Sequence, residues 1–191
     1  ANGTLTIGKR SVTLTSATDS KVYDGSALTN GNVTVGGDGF AAGEGATCTV
    51  TGTRTAPGSS KNAFTYALNE GTKADNYTVT TAEGTLTVTS RGATQEITVE
   101  ANSGGEKYNG AEQTVSGLKT TTFKVGDHTY TVEGLEATAT GTDAGTYPVN
   151  VTGTPVVKDA AGNDVTSEFK VNTANGTLTI GKRSVTLTSA T

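Results

Sequence analysis

Apolar residues along this chain alternate with polar ones in short runs, and the parity of the alternation changes at three places. Leu5 and Ile7 stand at odd positions, whereas Val12 and Leu14, beyond Gly8-Lys9-Arg10, stand at even ones. Leu86 and Val88 give way to Ile97 and Val99, and Leu178 and Ile180 give way to Val185 and Leu187 across Gly181-Lys182-Arg183. Successive side chains of a strand point to opposite faces, so runs of opposite parity do not feed one face of one flat sheet. Each break therefore predicts a strand that closes one module followed by a strand that opens the next. The resulting division is 1–8 as the last strand of a preceding module, 9–89 as β module one, 90–181 as β module two and 182–191 as the first strand of a following module.

Inside module one the pattern predicts strands over 32–35, 46–53, 63–68 and 77–81, with a loop at 36–45 (GGDGFAAGEG) and a plain connection at 55–62 (TAPGSSKN). Module two has sharper turns. Phe123-Lys124-Val125 and His128-Thr129-Tyr130 flank Gly126-Asp127, a two-residue hairpin signal. The spacing also predicts that 137–141 pairs with 146–151 across Thr142-Asp143-Ala144-Gly145, and that 169–172 pairs with 177–180 across Ala174-Asn175-Gly176. No run keeps a 3.6-residue apolar period over helical length, although 41–46 has room for one turn. The expected fold is all-β, two tandem β-sandwich-like modules, Ig-like or β-grasp-like, arranged end to end.

The eighteen residues ANGTLTIGKRSVTLTSAT occur twice, starting at 1 and at 174, a period of 173 residues. A weaker copy of the strand motif, GTLTV, lies at 84–88, and the residues before it, Asn76-Tyr77-Thr78-Val79, parallel Glu168-Phe169-Lys170-Val171. Self-similarity at a fixed period is the mark of a repeat architecture, so the chain reads as one unit of a longer fibre whose partners are the neighbouring repeats. The duplicated terminal segments present unpaired strand edges. They are expected to fray, or to join copies head to tail by self-association through the terminal strands; the alternative is that the duplicated ends are only where the array is cut.

Composition narrows the functional classes. Modules of 80–90 residues have modest cores, and here hydrophobics make up 32% and aromatics 5% of the chain, with no Trp. That sparseness argues against a platform of rings for stacking on sugars. A net charge of −4 with scattered basic residues gives no electrostatic footprint for nucleic acid. No apolar run approaches the roughly 18–20 residues of a membrane span. The lone cysteine, Cys48, excludes an internal disulfide and shares a face with Ala46 and Val50 as a small hydrophobe, the alternative being an intermolecular bridge or a reactive thiol.

The remaining chemistry is thin. His128 is the only histidine and has no second metal-ligating partner in sequence. Asp159 with Asp164, and Asp38 with Glu44, offer oxygens for calcium without the dense alternation of an EF-hand loop. Lys21, Lys107 and Lys170 lie near core strands, where a Lys–Asn isopeptide bond would need a buried carboxylate. Asn2, Asn32, Asn76, Asn150 and Asn175 begin Asn-X-Thr sequons, which a Thr-rich chain produces by chance. No catalytic, cofactor-binding or metal residue is assigned, and no cofactor is expected.

Tyr23-Asp24-Gly25 with Tyr108-Asn109-Gly110, Ala144-Gly145-Thr146-Tyr147, the Asn76-Tyr77 step and the closing Gly-Thr-Leu-Thr strands together resemble the MBG/YDG-type repeats found in tandem in large bacterial cell-surface, adhesin-like proteins. Module one departs from that pattern at Thr55–Asn62, which replaces the Ala-Gly-Thr-Tyr turn. The resemblance implies an extracellular, non-enzymatic structural protein, a stalk or spacer between a wall anchor and a distal binding region with an unidentified host or matrix ligand. The alternative is an adhesive module that binds glycan or protein through loops 36–45 and 55–62 or through a sheet edge.

Overall fold

A computed structural model describes residues 3–189. The protein is nearly all β, 54% strand and 3% helix, built from several small sheets with no closed barrel. It divides into two compact units, 1–91 and 92–191.

Unit 1 holds β1 (Arg10–Ser16), β2 (Asp19–Val22), β3 (Val33–Gly37), β4 (Ala46–Val50), β5 (Gly58–Lys61), β6 (Phe64–Leu68), β7 (Tyr77–Ala82) and β8 (Thr85–Thr89). A 3-10 turn, Ala74–Asn76, leads into β7. β1 is the central strand of its sheet, antiparallel to β3 and parallel to β7. Its alternation works as the pattern predicts, because Val12 and Leu14 face inward and are fully buried. Around them pack Tyr77, Val33, Phe40, Cys48, Phe64 and Val79. Burying one such aliphatic side chain is worth about 1.5–3 kcal/mol, so this β1 face accounts for much of what holds the small unit together.

The chain then changes sheets twice, in step. Past β1 it crosses at 17–18 into β2, and past β7 it crosses at 83–84 into β8. β2 runs parallel to β8, which has β5 antiparallel on its other side. Residues 10–22 therefore run alongside 77–89, parallel, on both sides of the crossing. The crossing is pinned by polar groups. The Ser16 hydroxyl donates to the Asn62 carbonyl at 2.6 Å and accepts the Gly84 N–H at 2.9 Å. The Asn62 amide donates to the Ala17 and Asn30 carbonyls, each at 2.9 Å. Both side chains are buried. Asn62→Ala is expected to lower the stability of unit 1 by about 1–3 kcal/mol, because two partly buried carbonyls lose their donor. Urea unfolding followed by tyrosine fluorescence measures it.

Unit 2 holds β9 (Gln95–Glu100), β10 (Gln113–Ser116), β11 (Thr122–Val125), β12 (His128–Gly141), β13 (Gly145–Val149), β14 (Val151–Lys158), β15 (Phe169–Ala174) and β16 (Gly176–Ile180), with a 3-10 turn at Thr166–Glu168. β9 and β15 pair in parallel. Beyond their crossing, single parallel bridges join Gly104 to Leu178 and Lys107 to Gly181. β16 pairs antiparallel with β13. Leu178, Ile180, Val149, Ala137 and Ala101 form the buried core at this end. The fourteen-residue β12 pairs with β10, β11 and β14. It does so through a bulge between Glu133 and Leu135. There Gly134 and Gly153 face each other with φ of 77° and 107°, and a Cβ on Gly153 would lie 2.1 Å from the Gly134 carbonyl oxygen. Only glycine tolerates both the backbone angle and that approach.

Two expected pairings are corrected. Apart from the single Ala137–Val151 pair at the end of the β12–β14 ladder, residues 137–141 do not pair with 146–151, since β12 is occupied by β10 and β14 while β13 goes to β16. Residues 169–172 do not fold back on 177–180, since β15 goes to β9 and β16 to β13. The physical reason is the sheet crossing at Gly176. A Cβ there would stand 2.0 Å from the Asn102 carbonyl oxygen, so the backbone steps between sheets where a hairpin was expected. The plain connection at 55–62 is also corrected. It contains β5, whose run Gly-Ser-Ser-Lys is mostly exposed and carries no apolar alternation. The expected 177–180 strand, the 123–130 hairpin and the 77–81 strand appear as β16, β11–β12 and β7.

Candidate functional site

The residues singled out for chemistry are dispersed. His128 sits beside the β11–β12 turn opposite Val125, half-buried. Among the described residues no group of three His, Cys, Asp or Glu side chains is placed to hold a metal ion. Asp159 accepts the N–H groups of Ala161 and Asn163, each at 2.9 Å. Asp164 accepts the N–H and hydroxyl of Thr166, which holds its carboxyl below the usual range. Asp38 accepts the Ser11 N–H at 2.9 Å, and Glu44 accepts the Tyr77 hydroxyl. These carboxylates fasten turns and strand ends.

Lys170 forms an exposed ion pair with Glu96 at 2.8 Å, and Asn172 donates to the other oxygen of that carboxylate. Lysine, asparagine and glutamate thus meet, but on the open face of the β9–β15 ladder. An isopeptide bond needs the carboxylate shielded from water, where its pKa rises. Here the Glu96 carboxyl is instead held low by Lys170 and Asn172. Lys107 is exposed, and Lys21 bonds Asp24 and Ser26. Cys48 is a half-buried free thiol packed against the β1 core. Asn2 lies outside the described residues, and the other sequon asparagines are exposed.

Loop 36–45 is lashed to the body of unit 1. Arg10 donates to the carbonyls of Asp38 and Gly39, the Ala41 N–H donates to the Tyr77 hydroxyl at 3.0 Å, and Phe40 stacks on Tyr77 with ring centroids 5.1 Å apart. The Glu44 carboxylate raises the Tyr77 pKa by accepting a hydrogen bond from its hydroxyl. Hollows of about 420 Å³ lie beside Arg10, Glu44 and Tyr77 in unit 1 and beside Tyr108, Lys182 and Arg183 in unit 2. In the first of them the Tyr77 hydroxyl and the Glu44 carboxylate bond each other, and the hydroxyl also accepts the Ala41 N–H.

The Tyr-Asp-Gly motif has a structural role in unit 1. Tyr23 is buried, with the Arg91 guanidinium 5.1 Å above its ring, while Tyr108 of the second motif is partly exposed. Asp24 turns the chain by accepting from Lys21 and Ser26. The Lys21 ammonium, with Ser26, holds the Asp24 carboxyl well below the usual carboxylate range. A depressed folded-state pKa gives stability that is present above the unfolded value, about 3.9, and is lost as pH falls below it. Unit 1 is therefore expected to lose stability below about pH 4, and Asp24→Asn to remove part of that dependence. Because the pair is exposed, the effect at neutral pH is ~0.5 kcal/mol, read from urea midpoints at pH 7 and pH 3.

No family model, no curated protein and no solved structure matches this chain.

What remains distinctive is the set of strands that begin and end each unit, together with the two copies of one segment in opposite circumstances. Leu178 and Ile180 are buried in β16, while their repeat partners Leu5 and Ile7 are 88% and 87% exposed. Val12 and Leu14 are buried in β1, while Val185 and Leu187 are 77% and 92% exposed. Sequence reading located these segments by the repeat. It missed Ser16 and Asn62, whose only signal is a polar residue where the alternation calls for an apolar one.

Proposed function

We propose that this chain is a load-bearing spacer, two copies of one β module in tandem, recurring every 173 residues along a surface adhesin or extracellular fibre whose binding region lies elsewhere. Matched pairings support the duplication. Arg10–Tyr77 opens the first parallel ladder of unit 1 and Gln95–Phe169 that of unit 2. Asp19–Leu86 answers to Gly104–Leu178, Gly58–Val88 to Gly145–Ile180, and Leu28–Arg54 to Gln113–Gly141. Strand pairing runs from Arg10 to Gly181, so the folded span and the sequence period agree to within a residue or two. Only residues 90–94 separate β8 from β9. The resemblance to MBG/YDG repeats points to a bacterial cell surface and to a non-enzymatic role.

The observation that carries the reading is the parallel pairing of the first and last segments of each unit. Tension along the chain pulls residues 10–22 toward their N-terminal end and 77–89 toward their C-terminal end. Parallel partners are then dragged past each other, and many ladder bonds must break together. Antiparallel neighbours pulled from adjacent ends instead open one bond at a time. Unit 2 repeats the device with β9 and β15. In single-molecule stretching, pulling through the chain ends is expected to give unfolding forces several-fold higher than pulling unit 1 through residues 9 and 39, at the adjacent ends of β1 and β3. Equal forces in the two geometries would remove the mechanical basis of the proposal.

A further inference from the structure

In an asparagine-glycine pair the glycine nitrogen is well placed to attack the asparagine side-chain amide, because no side chain shields it and the backbone there turns freely. The pair occurs at 2–3, 30–31, 109–110 and 175–176, and Asn2 lies outside the described residues. The other three are held differently. The Asn30 amide nitrogen donates to the Asp19 carboxylate at 2.9 Å, and the residue is half-buried. The Asn175 amide spans two partners, donating to the Asn150 side-chain oxygen at 2.9 Å and accepting the Val151 N–H at 3.1 Å. Gly176 beyond it is buried at the sheet crossing. Asn109 and Gly110, by contrast, are exposed, and space is open around Gly110. The Asn109 Oδ1 accepts the Ala111 N–H at 2.9 Å, while its amide nitrogen donates to no group among the described residues. We propose that Asn109 is a site of spontaneous deamidation, with water as the co-reactant, and that Asn30 and Asn175 are protected from the same reaction by their partners.

The Gly110 nitrogen bonds to the side-chain carbonyl carbon of Asn109. The bond from that carbon to the amide nitrogen breaks, and ammonia leaves with the proton that Gly110 gives up. Negative charge develops on Oδ1 as the ring closes, and the Ala111 N–H is already aimed at that oxygen. Water then opens the cyclic imide at either carbonyl, its oxygen going to the new carboxylate and one hydrogen returning to nitrogen. The product is aspartate at 109 or an isoaspartyl link whose main chain runs through the side-chain carbon. At Asn30 the departing nitrogen must first give up a hydrogen bond to a charged acceptor, and at Asn175 both ends of the amide must be released. The change bears on unit 2. The Tyr108 N–H donates to the Gly181 carbonyl as the Tyr23 N–H donates to that of Thr89, each at 2.8 Å, so Asn109 stands where unit 1 has Asp24. Unit 1 answers that carboxylate with Lys21, whereas the residue three before Asn109 is Glu106. Deamidation therefore adds a negative charge to a chain of net charge −4, three residues from a like charge.

The full chain is incubated folded and, separately, unfolded in guanidinium, then digested for mass spectrometry, in which each conversion raises a peptide by one mass unit. Labelling with an isoaspartyl-specific methyltransferase marks the second product. In the folded chain Asn109 is expected to convert about tenfold faster than Asn30 or Asn175, the rate factor that one retained hydrogen bond to the amide amounts to. In guanidinium the three rates are expected to converge. Gly110→Ala, whose added Cβ meets nothing within 4 Å, is expected to suppress conversion at 109 and to leave the other two rates unchanged. Equal rates at the three sites in the folded chain would overturn the proposal. So would a ranking that persists in guanidinium, or conversion at 109 undiminished in Gly110→Ala.

Discussion

Leu14→Ala should lower the stability of unit 1 by about 2–5 kcal/mol, while Leu187→Ala, in the identical local sequence, should change stability by less than about 0.5 kcal/mol. The two leucines share the same neighbours for several residues on either side, so intrinsic strand propensity and local denatured-state structure are held constant. What differs is the surroundings. Leu14 is fully buried on the central strand of its sheet, and Leu187 is 92% exposed. Truncating Leu14 removes its transfer free energy and leaves a cavity in a close-packed core. Small domains have only about 5–15 kcal/mol in all, so the loss would be a large fraction. Urea midpoints for the two variants decide the matter, and comparable losses at both sites would mean that the second copy is also packed in solution.

The second large effect is at a glycine. Gly176→Ala is expected to cost ~3 kcal/mol or more, because its Cβ would stand 2.0 Å from one backbone oxygen, that of Asn102, and 3.0 Å from another, that of Ala101. Those atoms belong to the crossing between sheets and cannot swing aside as a flexible side chain would. Gly3 is the same residue one period earlier and has nothing within 4 Å of an added Cβ. Gly3→Ala is therefore expected to be neutral, within about 0.5 kcal/mol. Thermal unfolding followed by circular dichroism would show a lowered transition for unit 2 in the first variant and none in the second.

The strands with clean alternation, β1, β8, β9 and β16, were legible because each buries one face and exposes the other. Their partners were less so. Sequence neighbours such as 169–172 and 177–180 suggest a hairpin, and the alternation does not register that Gly176 carries the chain into another sheet. β5 was illegible because Gly58-Ser59-Ser60-Lys61 is mostly exposed and carries no apolar period. The crossing residues Ser16 and Asn62 were hidden for the opposite reason, being polar on a buried face. For the candidate site, the repeat was written in the letters. That one copy is buried and the other exposed is read from the structure, since the letters are identical.

The two crossings differ in chemistry, and that difference bears on how such repeats avoid folding into one another. Where unit 1 has Ser16 and Asn62, unit 2 has Ala101 at the end of the β9 ladder and Val149 opposite Gly176. If β9 were to enter the place of β1 during synthesis, its alanine would leave the Gly84 N–H and the Asn62 carbonyl without their hydroxyl, a penalty of about 1–3 kcal/mol for each buried group. If β1 were to enter the place of β9, its serine would set a hydroxyl where Ala101 packs with Ala137, Val149 and Leu178. The two units thus differ at their crossings, one polar and one greasy, and a swap of opening strands between them would put a mismatched residue at each.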